Sequence, residues 1–235
     1  MRRRDFLAAL GLGTTASFLD ACNSYGPRPA KGLLTYATQQ NEGVERWLFD
    51  HDSRDRIPIG QRLAGDAFPR YFVSDQMPMW DPAVRGAWSL ELTGAVKRPL
   101  TLSLADLMKL RPTTQRVHHY CVEGWTANAE WTGVRLSELV RLVEPLPDAG
   151  FVDFQSFDSD YHESWDIESA THPQTLVAYA MDGMFLGAGH GAPARVHSPV
   201  KLGYKNTKYL TKIVFMPTRN GGYWSDRGYE WYGGV

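Results

Sequence analysis

Apolar and polar residues alternate most cleanly from residue 88 onward. Trp88, Leu90 and Leu92 are interleaved with Ser89, Glu91 and Thr93, the period of a half-buried strand, and Gly94 ends the run. Residues 97–99 read as a turn. Ser103 is placed to cap a short helix carrying Leu104, Leu107 and Met108 on one face, with Pro112 on its far side. Residues 113–120 read as a strand, and the Trp-, Gly- and Asn-rich stretch after them as a loop. Leu136, Leu139, Val140 and Val143 then recur at helical spacing until Pro145. Further strands are expected over residues 151–157, 176–181, 194–197 and 213–216, with Asp182 and Gly183 as a hairpin turn before Met184 and Phe185. Strands dominate, helices are short, and no strand runs into a glycine-rich phosphate loop. The pattern therefore predicts a mixed α+β domain over residues 66–235 rather than a doubly wound nucleotide fold. The Gly- and aromatic-rich tail from Asn220 reads as a packed strap.

The ends of this pattern are different in kind. Residues 22–65 mix Gly, Pro, Asn, Arg and Asp with weak periodicity, and read as a tether and irregular wrapping segment. Before them, Arg2, Arg3 and Arg4 precede an uncharged run from Phe6 to Leu19, shorter than a membrane span requires. Residues 1–21 are therefore expected to be an export signal. Arg3, Arg4, Asp5, Phe6 and Leu7 resemble the twin-arginine motif, whose pathway moves proteins already folded, often around a cofactor. Leu19, Asp20, Ala21 and Cys22 resemble a lipoprotein box, with Asp20 an unusual occupant. The expectation is a periplasmic protein, membrane-anchored if Cys22 is acylated.

Composition narrows the partners. Across 235 residues, 25 Lys and Arg face 26 Asp and Glu for a net charge of −1, which gives no basic field suited to nucleic acid. Only two cysteines occur, against 8 Trp, 11 Tyr and 10 Phe, so the core must hold by packing rather than by disulfides. With Cys22 taken up in the signal region, Cys121 is the one thiol of the folded body. An unpaired thiol in an oxidising compartment calls for deep burial or occupation as a ligand, and both readings stay open at this point.

Cys121 sits in the densest chemical cluster, His118 to Trp125, where a strand runs into a loop. Strand parity places His119 and Cys121 on one face and His118 with Tyr120 on the other, so the three cannot ligate one ion without a bend. A buried inert cysteine, a zinc ligand and a Cys–His nucleophile are the alternatives from chemistry alone. No paired ligand spacing supports zinc, and no third orienting group supports the nucleophile.

Cys121, Val122, Glu123, Gly124 and Trp125, followed by Trp131, Thr132 and Gly133 before a Leu-rich helix, resemble the cofactor loop of the sulfite oxidase family of molybdenum enzymes. Within that family the chain is similar to the branch of periplasmic protein-methionine-sulfoxide reductase catalytic subunits. The resemblance runs over residues 71–216. It implies a molybdenum-molybdopterin cofactor, one molybdenum per chain, with Cys121 as the metal's protein thiolate; soft sulfur donors suit such a metal. Phe72, Val73, Ser74, Asp75 and Gln76 resemble the stretch that contacts the pterin, although the family's usual Asn and His are absent there. Ser156 stands where the family places a small hydroxyl residue against the cofactor. The run His190 to Arg195 resembles a second cofactor motif, giving His190 and Arg195 as pterin contacts, and Asn206, Thr207 and Lys208 form a second clamp. Arg195 and Lys208 suit a terminal phosphate. Tyr161 resembles the family's active-site tyrosine, while Lys201 and Lys205 read as rim charges.

The implied reaction is oxygen-atom transfer. The basic cluster that holds sulfite in sulfite oxidases is replaced here by Glu123 and Trp125, so the resemblance favours sulfoxide reduction, with a sulfite or small-oxyanion dehydrogenase as the alternative. No C-x-x-C-H haem attachment motif occurs, so the expectation is no haem and electrons from a separate cytochrome or quinol-linked partner. No room is left for an immunoglobulin-like dimer domain, and a monomeric catalytic unit is expected. The alternative from another class is a non-catalytic exported lipoprotein that binds a ligand.

Overall fold

The computed structural model describes residues 28–49, 68–158 and 160–235; the signal-like segment, Cys22 with its lipobox, and the link 50–67 lie outside them. The chain divides into two compact units, Met1–Leu48 and Phe49–Val235. Within the 22–65 stretch expected to be irregular, the described residues instead form a 22-residue helix, Arg28–Phe49. Gly32 and Gly43 blur its period in the sequence, but its exposed polar side bonds along the axis, with Asn41 Nδ2 donating to Glu45 at 3.0 Å and Arg46 paired with Glu42 at 2.9 Å. Leu33, Tyr36, Val44 and Trp47 are exposed. No described helix is long and apolar enough to cross a membrane.

Among its described residues the second unit has ten strands: β1 Ser89–Gly94, β2 Leu100–Ser103, β3 Pro112–Tyr120, β4 Thr126–Arg135, β5 Phe151–Ser156, β6 His162–Asp166, β7 Leu176–Met181, β8 Met184–Phe185, β9 Arg195–His197 and β10 Leu210–Met216. They form two five-stranded sheets, one ordered β2-β1-β10-β5-β6 and the other β3-β4-β7-β8 with β9 also on β7. Only β1 and β10 pair in parallel within the first sheet; its other pairs, and all pairs of the second, are antiparallel. This mixed α+β arrangement agrees with the expectation from sequence.

Alternation in β1 has the consequence expected of it: Leu90 and Leu92 are fully buried, packed with Phe154, Ile213 and Phe215 and with the helix residues Leu107, Leu136, Leu139 and Val143. Ser103 caps the helix Leu104–Lys109 through a reciprocal capping box with Asp106. A second cluster gathers Val117, Ala129, Trp131, Leu176, Ala178 and Leu186 around the β3-β4-β7 sheet.

Three strands were not expected. Residues 97–103 hold β2 beyond the turn, β6 follows Tyr161, and the stretch read as a loop after Cys121 continues into β4, ten residues long. Both faces of β4 are largely covered, so its apolar positions do not alternate, and Ala127, Ala129 and Gly133 give it a loop-like composition. Gly133 is where β4 meets β7 most closely: a Cβ there would collide with the Val177 carbonyl and lie 2.6 Å from Ala178 Cα. Gly133→Ala is expected to destabilise the fold by about 1–3 kcal/mol, the usual cost of overpacking, read as a lowered thermal midpoint.

Candidate active site

The β3–β4 hairpin positions the central thiol. Register runs without a break from Pro112↔Val134 to Tyr120↔Thr126, leaving residues 121–125 as the closing loop. Cys121 N donates to Trp125 O at 3.0 Å, Gly124 N donates to Cys121 O at 3.0 Å, and Gly124 takes φ +85, a conformation that favours glycine. Cys121 is unpaired and half-exposed in the wall of a cavity of about 360 Å³. Burial pushes its thiol up from the usual cysteine range, with the Glu123 carboxylate adding to the rise and the Glu123 and Val122 backbone opposing it. Such a sulfur is a protonated thiol until a cation provides the countercharge.

Of the residues singled out from sequence, Phe72, Val73, Cys121, Ser156, Tyr161, Arg195, Asn206 and Lys208 line this cavity, whereas Ser74, Asp75, Gln76, His190 and Thr207 do not. Asp158 links the two groups. Its carboxylate accepts from Val73 N at 2.9 Å, from Ser74 N at 3.1 Å and from the Ser74 hydroxyl, and its own N–H donates to Ser156 Oγ at 2.9 Å. One buried carboxylate thus pins the segment bearing Phe72 and Val73 against the end of β5. Asn206 is fully occupied in holding backbone: Oδ1 accepts from Ser198 N at 2.6 Å, and Nδ2 donates to the carbonyls of Lys201 and Leu202, each at 3.0 Å.

Charge is distributed unevenly among the buried cations. Lys201 and Lys205, expected at the rim, are 1% and 0% exposed and ion-paired, Lys201 with Asp166 at 3.4 Å and Lys205 with Glu163 at 2.6 Å. They are interior groups, not anion-steering charges. Arg195 is equally buried, at 1%, yet donates only to the carbonyls of Val196, His190 and Asn206, at 3.1–3.3 Å, and lies 4.9 Å over the Trp131 ring. Burial lowers its pKa to about 10. Lys208 donates to Gly189 O at 3.0 Å and to Tyr71 O, and burial with Arg195 beside it brings its pKa to about 7. Neither has an ion-pair partner among the described residues. The Tyr209 hydroxyl, also on the cavity wall, is buried without a hydrogen-bond partner. A cavity holding a buried guanidinium with no ion pair among the described residues, an amine beside it, a hydroxyl without a hydrogen-bond partner and one thiol suits a polyanion that carries a soft metal.

His119 shares the cavity with Cys121, as strand parity requires, while the rings of His118 and Tyr120 neighbour each other at 5.8 Å. His119 stacks between Trp125 (5.8 Å) and His197 (5.5 Å), and His197 stacks on Trp131 at 4.1 Å. Burial, with Arg195 and Lys208 nearby, lowers the His119 pKa to about 3. Tyr161 donates its hydroxyl to Tyr204 O, and burial raises its pKa well above the ordinary phenol value. Sequence reasoning missed Phe68, Asp158, Tyr204, Tyr209, Trp224 and Tyr229 as cavity residues. Nothing local marked Asp158, whose partners lie 84 and 85 positions away; the aromatic density of the tail was the one available signal for Trp224 and Tyr229.

Among the described residues no cluster of three or more His, Cys, Asp or Glu could hold a metal ion unaided. The family model for the oxidoreductase molybdopterin binding domain matches residues 76–224. The chain belongs to that family. It is 36% identical over 234 residues, 99% of this chain and 87% of the relative, to an Azospira oryzae protein bearing the provisional name protein-methionine-sulfoxide reductase subunit YedZ1. Two proteins named protein-methionine-sulfoxide reductase catalytic subunit MsrP are also similar. That of Ralstonia nicotianae is 34% identical over 62% of this chain and 49% of its own length, and that of Campylobacter jejuni 31% over 62% and 54%. This chain thus matches about half the length of each MsrP relative. Among solved structures, the sulfane dehydrogenase SoxCD of Paracoccus pantotrophus shares the fold, with a TM-score of 0.57 and 18% identity over 72% of this chain and 52% of that one. The molybdopterin-binding family match identifies an oxidoreductase and supports the expected molybdenum-molybdopterin cofactor. It also sets aside the non-catalytic alternative. The matched span ends at Trp224, eight residues beyond the expected boundary, and leaves Tyr229 outside.

Buried neutral histidines set a pH dependence. His190 is held at a pKa of about 4, first by burial and then by Lys208 and Arg195. A depressed imidazole pKa means that the unfolded chain binds more protons below about 6.5, so stability is lost as pH falls from there toward 4. The thermal midpoint is expected to drop across that window, and His190→Gln to reduce the slope.

Proposed function

We propose that this protein is an exported molybdopterin-dependent oxidoreductase that reduces sulfoxides with electrons from a separate redox protein, a cytochrome or a quinol-linked partner. The observation that carries the reading is the presence, in one cavity, of the unpaired Cys121 thiol and the buried, uncompensated Arg195 guanidinium. The printed names of the relatives support the substrate class. The chemistry that the bound cofactor supplies is two-electron oxygen-atom transfer. In balance, a sulfoxide plus two protons and two electrons gives a sulfide and water.

The chain's own groups divide the remaining work. Cys121 gives its thiol proton up to bind the metal as thiolate. Arg195, with a forked donor set, and Lys208, a point charge, would hold the phosphate end of the pterin, whose charge would supply the ion-pair partner that neither has among the described residues. Ser156, Phe72 and Val73 would line the space that the pterin takes, with Ser74 holding that segment to Asp158 from outside the cavity wall and Asp75 and Gln76 following it in the chain. Asn206 holds the 198–202 backbone through its side chain, and Thr207 O accepts from Val196 N at 2.9 Å, so the residues just before Lys208 are tied to β9 and its following loop. His190 acts through its carbonyl on Arg195. Tyr161, kept protonated by burial, offers a hydrogen-bond donor to the substrate oxygen once released from Tyr204 O. The Glu123 carboxylate at the cavity wall disfavours an incoming dianion, which weighs against sulfite as substrate.

The expected outcome for purified, molybdenum-loaded protein is sulfoxide reduction with an artificial electron donor and negligible sulfite turnover. Reduction of no sulfoxide removes the reaction. Cys121→Ser is expected to keep the fold and lose the Mo(V) paramagnetic resonance signal together with activity. Arg195→Ala should instead lower pterin and molybdenum occupancy, measured by metal and pterin analysis.

Export through residues 1–21 and acylation of Cys22 belong to the same proposal and rest on the sequence motifs. Labelled fatty acid is expected to be incorporated into the wild-type chain, and Cys22→Ser is expected to shift the protein from the membrane to the soluble periplasmic fraction.

A further inference from the structure

The tail from Asn220 shapes the active-site cavity. Trp224 and Tyr229 line it, with ring centroids 5.0 Å apart, and Tyr229 in turn lies 5.3 Å from Tyr204. The three rings form a run of aromatic contacts in the lining of the cavity that also holds the Cys121 thiol and the Arg195 cation. Tyr229 remains 39% exposed, so the wall reaches the cavity mouth.

A single interior carboxylate fixes where that wall stands. Glu163, on β6, is fully buried and accepts from the Trp224 backbone N–H at 2.8 Å, from Ser225 Oγ at 3.0 Å and from Lys205 Nζ at 2.6 Å. The tail approaches so closely that it bridges β6 at Glu163↔Gly222, where a Cβ on Gly222 would collide with the Glu163 carboxylate. At the other end of the wall, the Tyr204 hydroxyl donates to Glu230 O. A carboxylate that binds the N–H of Trp224 sets the origin of the indole side chain to within a hydrogen-bond length.

We propose that Trp224 and Tyr229 are specificity-determining residues that select a substrate carrying an apolar group next to its reacting polar atom, and that Glu163 is their positioning residue. For its substrate class the proposal rests on the sulfoxide reading above. A small sulfoxide such as dimethyl sulfoxide has no surface to lay on the wall. An aryl methyl sulfoxide does, and face or edge contact with two rings favours it.

The test uses the molybdenum-loaded wild type with Trp224→Ala, Trp224→Phe, Glu163→Gln and Ser225→Ala, and methyl phenyl sulfoxide and dimethyl sulfoxide as probes. Calorimetric titration is expected to show methyl phenyl sulfoxide binding weakened roughly fivefold to tenfold in Trp224→Ala and largely restored in Trp224→Phe. Equal affinity in wild type and Trp224→Ala, or no binding to wild type, overturns the wall. Turnover separates the two readings: wild type that binds methyl phenyl sulfoxide but reduces neither probe refutes sulfoxide reduction and leaves the wall standing. For Glu163, the expected signature is a raised KM, or Kd, for methyl phenyl sulfoxide with values for dimethyl sulfoxide kept. A uniform loss of kcat for both probes, or no change, removes the positioning role. Ser225→Ala deletes one donor without stranding the Lys205 charge, and gives the same reading at roughly twofold to threefold if Glu163→Gln does not fold.

Discussion

The pairing of β3 with β4 is the constraint on which the site depends. Nine consecutive register positions hold the hairpin, and the side chain just past the last of them is Cys121. A strand slip of one residue would send His119 and Cys121 to the other face and bring His118 and Tyr120 to the cavity instead. Such a slip is resisted on the covered side by Val117, Ala129 and Trp131, whose burial ties the register to the second core cluster. The thiol is therefore placed by packing distant from it, and the five-residue loop only has to turn the chain.

Electrostatics then divides the interior into satisfied and unsatisfied regions. Lys201 and Lys205 are buried beside carboxylates, and the ion pairs lock the tail and the β9–β10 connection. Arg195 is buried, and Lys208 half-buried, with hydrogen bonds to carbonyls and no ion pair among the described residues; Asp158 acts on Lys208 through the field alone. Dipoles and ring faces reduce the cost of such burial but leave a net positive charge, which is why both pKa values fall. A fold that tolerates this cost without a ligand gains when a phosphate arrives, because the ligand's charge replaces the missing carboxylates. The histidines nearby are depressed first by burial and then by the same field, since a further proton there would add to the positive charge.

Much of this was legible in the chain. Alternation in β1 and helical spacing at Leu136–Val143 gave elements in the right places, since each has one covered face and one open one. The same logic explains the failures, for β4 and β6 are covered on both faces and carry no alternation to read. In the site, parity along β3 put His119 with Cys121, and the ordered motifs brought Arg195 and Lys208 to the same cavity. Lys205 was misjudged because a lysine's partner is invisible locally: Glu163 is 42 residues away and reaches it only through the pairing of β5 and β6. Asp158, equally silent in sequence, shows that a carboxylate whose task is to hold backbone has no composition signature at all.

Glu163 and Asp158 act alike, and the likeness explains how the cavity acquires its walls. Each is an interior carboxylate that takes backbone N–H groups from a remote segment, Asp158 from Val73 and Ser74, Glu163 from Trp224. Neither segment lies in a named strand; the tail meets β6 through the isolated Glu163↔Gly222 bridge and the Tyr223 N–H donating to His162 O at 2.7 Å, and such sparse pairing leaves much of the direction to side chains. Charge-assisted bonds to N–H groups supply the missing direction. The sheets thus place the thiol and the cations that a molybdopterin needs, while two buried acids place the outer walls from non-sheet segments.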